Sequence, residues 1–437
     1  MTRKSNNLKE LATDIVKTLK KEGFEAYFVG GCVRDLIMGF TPKDYDVATS
    51  ATPDQIIKLF PKTIAIGKAF GVITVITNKH NIEVATFRTE GPYSDGRRPD
   101  KIEFTTAKED VLRRDFTING LLFDPEKEKA IDYVDGQKDI KQKIIRTIGD
   151  PDRRFDEDKL RMLRAIKFAS RFKFKIEQET WNAIQEHSKE INKISAERIR
   201  QELIGILTEG NARTGFELLD KSGLLTEILP EISALKGVEQ PPEFHPEGDV
   251  WIHTLMMLEM LQNPSQELAW AVLLHDVGKP GTFTVKERIR FDGHDKLGAE
   301  MAEEILKRLK CSNDTIERVK DLIAQHLKFK DAPKMRTSRL KRFLRQDHFD
   351  EHLELHRLDC ASSHRNLELY EFCKNKLREL PPEVIKPPRL ITGKDLIELG
   401  FKPGPEFSKI LNEVETEQLE GSLQTKEEAL EYIKRHF

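Results

Sequence analysis

The apolar pattern of the chain changes at about Asp156, and this change limits the folds open to it. Before that point, short runs rich in β-forming residues alternate with helical segments. The strand-like runs are Tyr27 to Val29, Asp44 to Ala48, Val72 to Thr77, Ile82 to Phe87 and Ile102 to Thr105. After it, apolar residues recur at helical spacing and strand signals nearly vanish. We therefore predict an α+β protein with a small mixed sheet near its start and all-helical regions after it.

The length and two proline-rich segments indicate several domains. A chain of 437 residues is long enough for about two to four domains of ordinary size. Proline-rich stretches at 239–249 and 380–388 are typical of boundaries. Near the start, apolar residues at helical spacing predict a helix over 6–22 that ends at Gly23. We predict four regions: 1–150, 151–238, 239–365 and 366–437.

Composition excludes several classes of protein. The chain carries 72 Lys and Arg against 74 Asp and Glu, so its formal net charge is −2. This balance excludes a uniformly basic surface but leaves room for local basic clusters. We expect no membrane span, because no run of about 18 apolar residues exists. We also expect no secretory signal, because MTRKSNNLKE lacks an apolar stretch. Four cysteines without CxxC spacing predict a reducing cytoplasm.

Two aspartates lie two residues apart in a predicted strand. Because side chains alternate along a strand, Asp44 and Asp46 are expected on one face. Convergent carboxylates favour a hard cation, above all Mg²⁺ with nucleotide phosphates completing its shell. Glu83, in a later strand, is a candidate third carboxylate. The alternative interpretation is that the two aspartates are solvated turn residues beside Pro42.

A Gly-Gly turn precedes these aspartates. Gly30 and Gly31 would let backbone N–H groups approach a triphosphate, and Arg34 would add positive charge beside a helix N-terminus. A Gly-Gly pair by itself is a weak signal. Its weight comes from the charged patterns that follow it in the chain.

The segment FDEDKLRMLRAIKFASRF (155–172) is predicted to form one helix. Asp158 and Arg161, three residues apart, would share a face, and Arg164 and Lys167 continue that row. A carboxylate can accept from the amino group of cytosine or adenine while a guanidinium donates to the adjacent ring nitrogen. Guanine and uracil present the reversed polarity, so the pair could select C and A without a template. The alternative is an ordinary intrahelical salt bridge.

Five motifs together resemble one enzyme family. GGCVRD, PKDYDVAT, VATFRTEGPYSDGRRPD, RRDFTING and EDKLRMLRA match, in order, motifs of class II tRNA nucleotidyltransferases and bacterial poly(A) polymerases. The match covers about the first 210 residues, ending in SAERIRQEL (195–203). It implies that 1–150 is a catalytic nucleotidyltransferase head and 151–238 a helical neck that selects the nucleotide. The loop at 88–100 resembles the family's flexible loop, which helps the switch from CTP to ATP.

The resemblance also implies roles for individual residues. Asp44 and Asp46 would be the catalytic ligands of Mg²⁺. The nucleotide-binding residues would be Gly30, Gly31, Arg34, Arg114, Asp158, Arg161, Arg164 and Lys167. Lys167 stands where family members often carry Arg, and Lys loses the bidentate geometry of a guanidinium.

A second constellation is the ordered set His253, His275–Asp276, His294, His326 and Asp359. Imidazole and carboxylate are common ligands of divalent metals. LLHDVGKP and FDGHDKLGAE resemble the HD phosphohydrolase superfamily, which implies an HD domain at 239–365. That resemblance implies a divalent metal held by His253, His275, Asp276 and Asp359, with His294 and His326 available for a second metal or for phosphate. The alternatives are buried core histidines, or an HD fold that keeps its metal only as structure.

An RNA-binding surface is predicted from local basic clusters. The segment KMRTSRLKRFLRQ (334–346) carries six Lys or Arg and no acid. The residues predicted to contact RNA are Arg97, Arg98, Lys334, Arg336, Arg339, Lys341 and Arg342. The alternative is a solvated helix face. The region 366–437 resembles the helical tail of HD-containing family members, where it would help to hold tRNA.

The sequence therefore predicts a template-independent enzyme that adds CMP and AMP to the tRNA 3′ end and releases pyrophosphate. Its predicted partners are tRNA, CTP and ATP, without a membrane; the oligomeric state stays open. Two relatives remain as alternatives, namely the A-adding enzyme of a split CC/A system and a poly(A) polymerase. From other classes come an HD metal-dependent phosphohydrolase acting on RNA ends and a noncatalytic RNA-binding protein.

Overall fold

The computed structural model describes residues 2–77, 80–91, 101–243, 245–246 and 248–437. The chain forms two compact units, residues 1–233 with 308–310 and residues 234–307 with 311–437. The first unit contains a mixed sheet and the second is almost entirely helical, so the predicted α+β class is confirmed. The finer division into four regions stays a prediction. No helix in the described part of the chain is long and apolar enough to span a membrane.

A mixed sheet organises the first unit. The strands of this unit are β1 Ala26–Val29, β2 Asp46–Thr49, β3 Thr63–Ile64, β4 Val72–Thr77, β5 His80–Thr86, β6 Arg88–Glu90, β7 Ile102–Phe104, β8 Leu121–Asp124, β9 Lys129–Asp132, β10 Ile144–Ile145 and β11 Lys175–Ile176. Among the described residues, seven of them form one sheet in the order β3-β4-β5-β2-β1-β8-β9. Strands β2 and β5 run parallel, whereas the other neighbours run antiparallel.

Helices surround this sheet and continue beyond it. Those of the first unit are α1 Thr2–Lys21, α2 Gly31–Ile37, α3 Pro53–Leu59, α4 Ala107–Leu112, α5 Gly136–Gln142, α6 Pro151–Glu157, α7 Leu160–Phe172, α8 Gln178–His187, α9 Ala196–Thr208, α10 Ala212–Lys221, α11 Leu224–Ile228 and α12 Pro230–Ser233. The predicted first helix is confirmed, and Gly23 after it has a φ of 86°. Its buried face, including Ile15 and Leu19, shares one core with Phe28 of β1 and Val47 of β2.

Two predicted elements differ from the structure near the predicted site. The helix expected over 155–172 is broken, because Asp158 between α6 and α7 is extended, with φ −151° and ψ 105°. Its carboxylate accepts a hydrogen bond from the backbone N–H of Leu160 at 3.0 Å, so it satisfies a donor of the first turn of α7. The prediction of one continuous helix was therefore wrong. Strand β2 begins at Asp46, so Asp44 lies just before the strand.

The second unit consists of packed helices and one short hairpin. Its elements are α13 Val250–Met260, α14 Gln266–Leu274, α15 Lys279–Thr282, β12 Thr284–Val285, β13 Ile289–Arg290, α16 His294–Arg308, α17 Asn313–Gln325, α18 Thr337–Leu344, α19 Phe349–Ser362, α20 Glu368–Glu379, α21 Pro382–Ile385, α22 Gly393–Glu398, α23 Pro405–Glu420 and α24 Lys426–His436. Helix α14 is buried from Glu267 to Leu274 and leads directly into His275. This apolar helix anchors the histidine cluster in the core of the unit.

The first turn of α5 predicts a stability effect. A Cβ added at Gly136 would lie 2.2 Å from the backbone oxygen of Thr117 and 3.0 Å from the side chain of Leu121. Because a backbone oxygen cannot move away alone, we expect Gly136→Ala to lower the free energy of unfolding by about 2 kcal/mol. The neighbouring substitution Gln137→Ala, at an exposed position, should stay within about 0.5 kcal/mol of the parent. Urea denaturation of both variants measures the difference, and equal stabilities would contradict the expected clash.

Candidate active site

The start of β2 directs two carboxylates to one side of the sheet. Tyr45 between them is buried, and its ring contacts Phe28 at a centroid distance of 5.2 Å. Asp44 is exposed and Asp46 is half-buried on the opposite side from Tyr45. The alternation predicted from the sequence is therefore present, although only Asp46 belongs to the strand.

The electrostatics of Asp46 suit a bound cation. Burial, together with the nearby carboxylates of Asp44 and Glu83, raises the pKa of this carboxyl to about 6 against the opposing effect of Arg114. Glu83 is close because β2 and β5 are paired with Val47 opposite Val84. These three carboxylates repel one another, and that of Asp46 is also partly desolvated, so they form an oxygen donor set whose charge a divalent cation would neutralise. The residues present therefore fit the predicted metal.

Next to these acids lies a cavity of about 400 Å³. Its lining residues are Gly30, Gly31, Arg34, Arg113, Arg114, Asp115, Asn119, Asp158, Arg161, Arg164 and Phe168. The structure thus brings together all the predicted nucleotide-binding residues except Lys167, whose ammonium pairs with Glu202. Sequence reasoning assigned no role to Arg113, Asp115, Asn119 and Phe168. The motif RRDFTING was the available signal for three of them.

Arg34 projects from α2 into the wall of this cavity. The side chain is buried, and it donates two hydrogen bonds to Asp35 (2.7 and 2.9 Å) and one to the amide oxygen of Asn119 (2.7 Å). A guanidinium has five N–H donors, so two remain for a ligand in the cavity. The backbone of Gly31 lies beside this group, since a Cβ there would be 3.6 Å from Nη2 of Arg34. The arrangement suits an anionic group such as a phosphate.

Acidic side chains hold the other arginines of the cavity in place. Asp110, which is buried, pairs with Arg113 at 2.7 Å and with Arg114 at 3.0 Å. Asp115 pairs with Arg164 at 2.6 Å. Burial alone would raise the pKa of Asp115, but the Arg164 guanidinium lowers it below its ordinary value. These ion pairs stay charged and keep the guanidinium planes oriented.

Asp158 and Arg161 line the same cavity but are not partners of each other. Asp158 pairs with Arg198 of α9 at 2.7 Å, whereas Arg161 pairs with Glu157 at 2.7 Å. The intrahelical salt bridge considered as an alternative is therefore replaced by two separate pairs. Both side chains line the cavity with separate partners, an arrangement in which each could meet a different edge atom of a base.

The second unit brings the predicted histidines and aspartates together. Ligand atoms of His253, His275 and Asp359 lie within 4.8 Å of one another, and so do those of Asp276, His294 and His326. Asp276 lies between the two groups: its Oδ2 is 3.1 Å from Nε2 of His275 and its Oδ1 is 3.6 Å from Nε2 of His294. Nε2 of His253 is 3.2 Å from Oδ1 of Asp359. All six side chains converge in one cluster.

The protonation pattern of this cluster fits metal ions. Nδ1 of His294 lies 2.7 Å from the backbone oxygen of Phe291, and Nδ1 of His326 lies 2.6 Å from that of Ile323. Each Nδ1 must therefore carry the proton, which leaves Nε2 as a lone pair in the neutral ring. Burial, His275 and His294 lower the pKa of His326 to about 4. Yet the two Nε2 atoms face each other at 3.3 Å, a contact between lone pairs that a cation would stabilise.

A cavity of about 660 Å³ opens onto this cluster. Its wall includes Asp276, His294, His326 and Asp359. Lys279 lines the buried part of the same cavity, and the basic side chains nearer its opening are Arg288, Arg290, Lys328 and Lys330. Sequence reasoning missed this basic rim because its members are scattered along the chain. The rim suits an anionic ligand that reaches the metal ligands.

The predicted RNA-binding residues fall into three groups. Lys334, Arg336 and Arg339 are exposed. Lys341 instead donates to the backbone oxygen of Leu419 at 2.7 Å, and Arg342 pairs with Glu415 at 2.9 Å, so both fasten α18 to α23. Arg97 and Arg98 lie outside the described residues.

Family models match three parts of the chain. Residues 26–146 match the poly A polymerase head domain. Residues 173–236 match the RNA and SrmB-binding site of polymerase A, and residues 295–433 match the tRNA nucleotidyltransferase domain 2. The first match contains β1 to β10 and both aspartates, and the third extends over parts of the last two predicted regions.

Individual relatives match over nearly the whole chain. A CCA-adding enzyme from Ligilactobacillus salivarius is 35% identical over 428 residues, which cover 96% of this chain and 94% of that protein. One from Enterococcus faecalis is 33% identical over 97% of this chain and 95% of that protein. The solved CCA-adding enzyme of Bacillus stearothermophilus, in complex with CTP, superposes with a TM-score of 0.74 at 26% identity, covering 98% and 97% of the two chains. The chain therefore belongs to the class II tRNA nucleotidyltransferases, the family of the CCA-adding enzymes and bacterial poly(A) polymerases.

Proposed function

We propose that this protein adds CMP and AMP to the 3′ end of tRNA without a template, in CCA addition or repair. The observation that carries the proposal is the arginine-lined cavity beside Asp44 and Asp46 in the first unit. Curated relatives over nearly the full length are CCA-adding enzymes, and the solved relative was obtained with CTP. None of the four cysteines, all within the described residues, forms a disulfide bond, which supports a cytoplasmic location.

Asp44 and Asp46 would hold divalent metal, which we propose to be Mg²⁺, with Glu83 beside them. When bound, such an ion activates a hydroxyl nucleophile and stabilises the charge of leaving pyrophosphate. The two remaining donors of Arg34 and the backbone of Gly31 would bind the triphosphate from the opposite wall. The protein thereby holds the α-phosphate of the nucleotide near the terminal 3′-hydroxyl of the tRNA.

Asp158 and Arg161 would select the base. The carboxylate accepts from the amino group of cytosine or adenine, and the guanidinium donates to the neighbouring ring nitrogen. Because Arg198 and Glu157 hold these two groups separately, the pair is preorganised before a nucleotide arrives. Guanine or uracil would leave buried donors and acceptors unpaired, and this penalty replaces a template.

The two close alternatives differ in their products. An A-adding enzyme of a split system would use ATP on a tRNA ending in CC but would not add CMP. A poly(A) polymerase would continue to extend with ATP, whereas a CCA-adding enzyme stops after one A. Incubation of a tRNA-sized acceptor with each nucleotide separately, followed by product sizing, distinguishes the three.

The metal-binding role of Asp46 is tested by Asp46→Asn, which keeps the size of the side chain but removes its charge. We expect CMP incorporation into tRNA lacking CCA to fall at least about a hundredfold, because metal catalysis contributes several kcal/mol. Asp14→Asn, which alters an exposed acid of α1, should retain parental activity. Full incorporation by the Asp46 variant would refute this mechanism.

The base-selecting role of Asp158 predicts a change in specificity. Asp158→Ala should reduce kcat/KM for CTP and ATP about tenfold to a hundredfold, while UTP and GTP are affected less, so discrimination narrows. Asp156→Ala removes an exposed acid two residues away, outside the cavity. It should leave kcat/KM unchanged for all four nucleotides. Steady-state kinetics with each nucleotide supplies the ratios. An equal loss for all four nucleotides would point to a structural effect of Asp158.

A second activity, phosphoester hydrolysis at RNA ends, is favoured by the histidine cluster of the second unit. Its facing Nε2 atoms suit divalent metal, and the basic rim of its cavity suits a phosphate. A 2′,3′-cyclic phosphate on a damaged RNA end is one substrate of this class. A metal in this site would supply an activated water for the hydrolysis.

The number of ions in this cluster can be measured on the full chain. Because the six ligands form two groups that meet at Asp276, we expect two Mn²⁺ per cluster in a calorimetric titration, and His326→Ala should lose one of them. His436→Ala, at an exposed position of the last helix, should bind as the parent does. The parent protein and the His326 variant both carry Asp46→Asn in this titration, so that ions bound in the first unit do not contribute to the difference. An unchanged stoichiometry in the His326 variant would show that the second group holds no ion.

A further inference from the structure

Two phenylalanines of α7 stand one helical turn apart beside the cavity of the first unit. The rings of Phe168 and Phe172 are nearly parallel, at 16°, with centroids 6.1 Å apart. Phe168 is buried and belongs to the cavity wall, whereas Phe172 is half-buried. On a helix, residues four apart share one face, so the two rings form a continuous aromatic surface. We refer to this pair as the aromatic platform.

The platform contacts guanidiniums that reach it from two different parts of the chain. The guanidinium carbon of Arg34, from α2, lies 4.6 Å from the ring centroid of Phe172 and 5.3 Å from that of Phe168. The guanidinium carbon of Arg164, from α7 itself, lies 5.3 Å from the Phe168 centroid. All three distances are within the range of cation–π attraction, which is stronger at a desolvated site such as that of Arg34.

The hydrogen bonds of Arg34 explain why such a platform is needed. Asp35 and Asn119 accept one hydrogen bond from each of its three nitrogens, so these bonds act at the edge of the guanidinium and leave its faces to other contacts. The rings restrain the group over its face and resist its rotation away from the cavity. Burial of Arg34 would otherwise destabilise its charge, since burial lowers its pKa below the ordinary value.

We propose that Phe168 and Phe172 are positioning residues for nucleotide binding. The aromatic platform holds Arg34 with its two remaining donors directed into the cavity, and Phe168 does the same for Arg164. This inference rests on the proposed function, because the ligand it positions is the triphosphate of CTP or ATP. Both residues lie outside the pair proposed to select the base. The platform therefore strengthens the binding of either nucleotide equally.

This role predicts a characteristic kinetic effect. Substituting Phe172→Leu keeps apolar volume but removes the aromatic face above Arg34. We expect the KM for CTP and for ATP to rise about tenfold, with kcat and the CTP to ATP preference unchanged, because uniform binding is lost. Phe172→Tyr keeps an aromatic ring at this half-buried position and should therefore have the KM of the parent protein. Phe168→Leu should raise KM further, since Phe168 contacts two of the guanidiniums that line the cavity, those of Arg34 and Arg164.

The matched control is Phe174→Leu. Phe174 is buried and packs against Phe172 at a centroid distance of 5.8 Å, but it is not part of the cavity wall. It should lower the melting temperature at least as much as Phe172→Leu while leaving KM unchanged. Measurements use the full chain with Mg²⁺, a tRNA lacking CCA, and equilibrium titration with CTP as a second readout of affinity.

The possible results separate the two proposals. If the parent protein incorporates CMP and Phe172→Leu has the KM and CTP affinity of Phe174→Leu, the platform is only structural and the inference is overturned, while the proposed function stands. A fall in kcat without a rise in KM would also overturn it. If the parent protein incorporates no nucleotide, the proposed function fails and the platform fails with it, since it has no triphosphate to position.

Discussion

The repulsion among five arginines around one small cavity is the constraint on which the first unit depends. Arg34, Arg113, Arg114, Arg161 and Arg164 line a space of about 400 Å³. Buried like charges destabilise a fold unless each has a partner. The structure supplies such partners in Asp35, Asp110, Glu157 and Asp115. Most of these acids lie within four residues of their arginine, so local sequence and local electrostatics agree. A near-zero net charge of the chain is therefore compatible with a basic cavity wall, because acids lie directly behind it.

Much of the site could be predicted because its chemistry depends on local patterns. Period-two alternation predicted that Asp44 and Asp46 lie close together, and they do flank the buried Tyr45, although only Asp46 belongs to the strand. The positions of the Gly-Gly turn and of Arg34 could also be predicted, because they come directly after the short strand β1. The mixed sheet and the helical remainder followed from the change in apolar periodicity.

The rest depended on contacts that spacing does not encode. The break at Asp158 arises because its carboxylate caps α7 and pairs with Arg198, which lies 40 residues away. The spacing predicts that Lys167 lies on the same helix face as Arg161 and Arg164. Its ammonium instead pairs with Glu202 of α9, and Lys167 does not line the cavity. Lys341 and Arg342 are predicted to contact RNA, and the spacing did not indicate that they also join two helices. A basic residue therefore has a predictable charge but an unpredictable partner, because the partner comes from tertiary packing.

The two candidate metal sites would attract a cation through different chemical groups. At Asp46, carboxylates crowd together and the pKa of one rises, so the site holds excess negative charge. In the second unit, the Nε2 atoms of two imidazoles face each other at 3.3 Å, while the ammonium of Lys279, at 2.7 Å, helps to hold the pKa of the buried Asp276 well below its ordinary value. A purely structural core would place apolar side chains at these buried positions, because an unsatisfied polar cluster destabilises a fold. Holding six polar side chains together in a buried cluster destabilises the fold, and a bound cation would offset this loss of stability. The donor types also differ as expected: oxygen donors suit Mg²⁺ beside a triphosphate, and mixed nitrogen and oxygen donors suit a borderline metal that activates water.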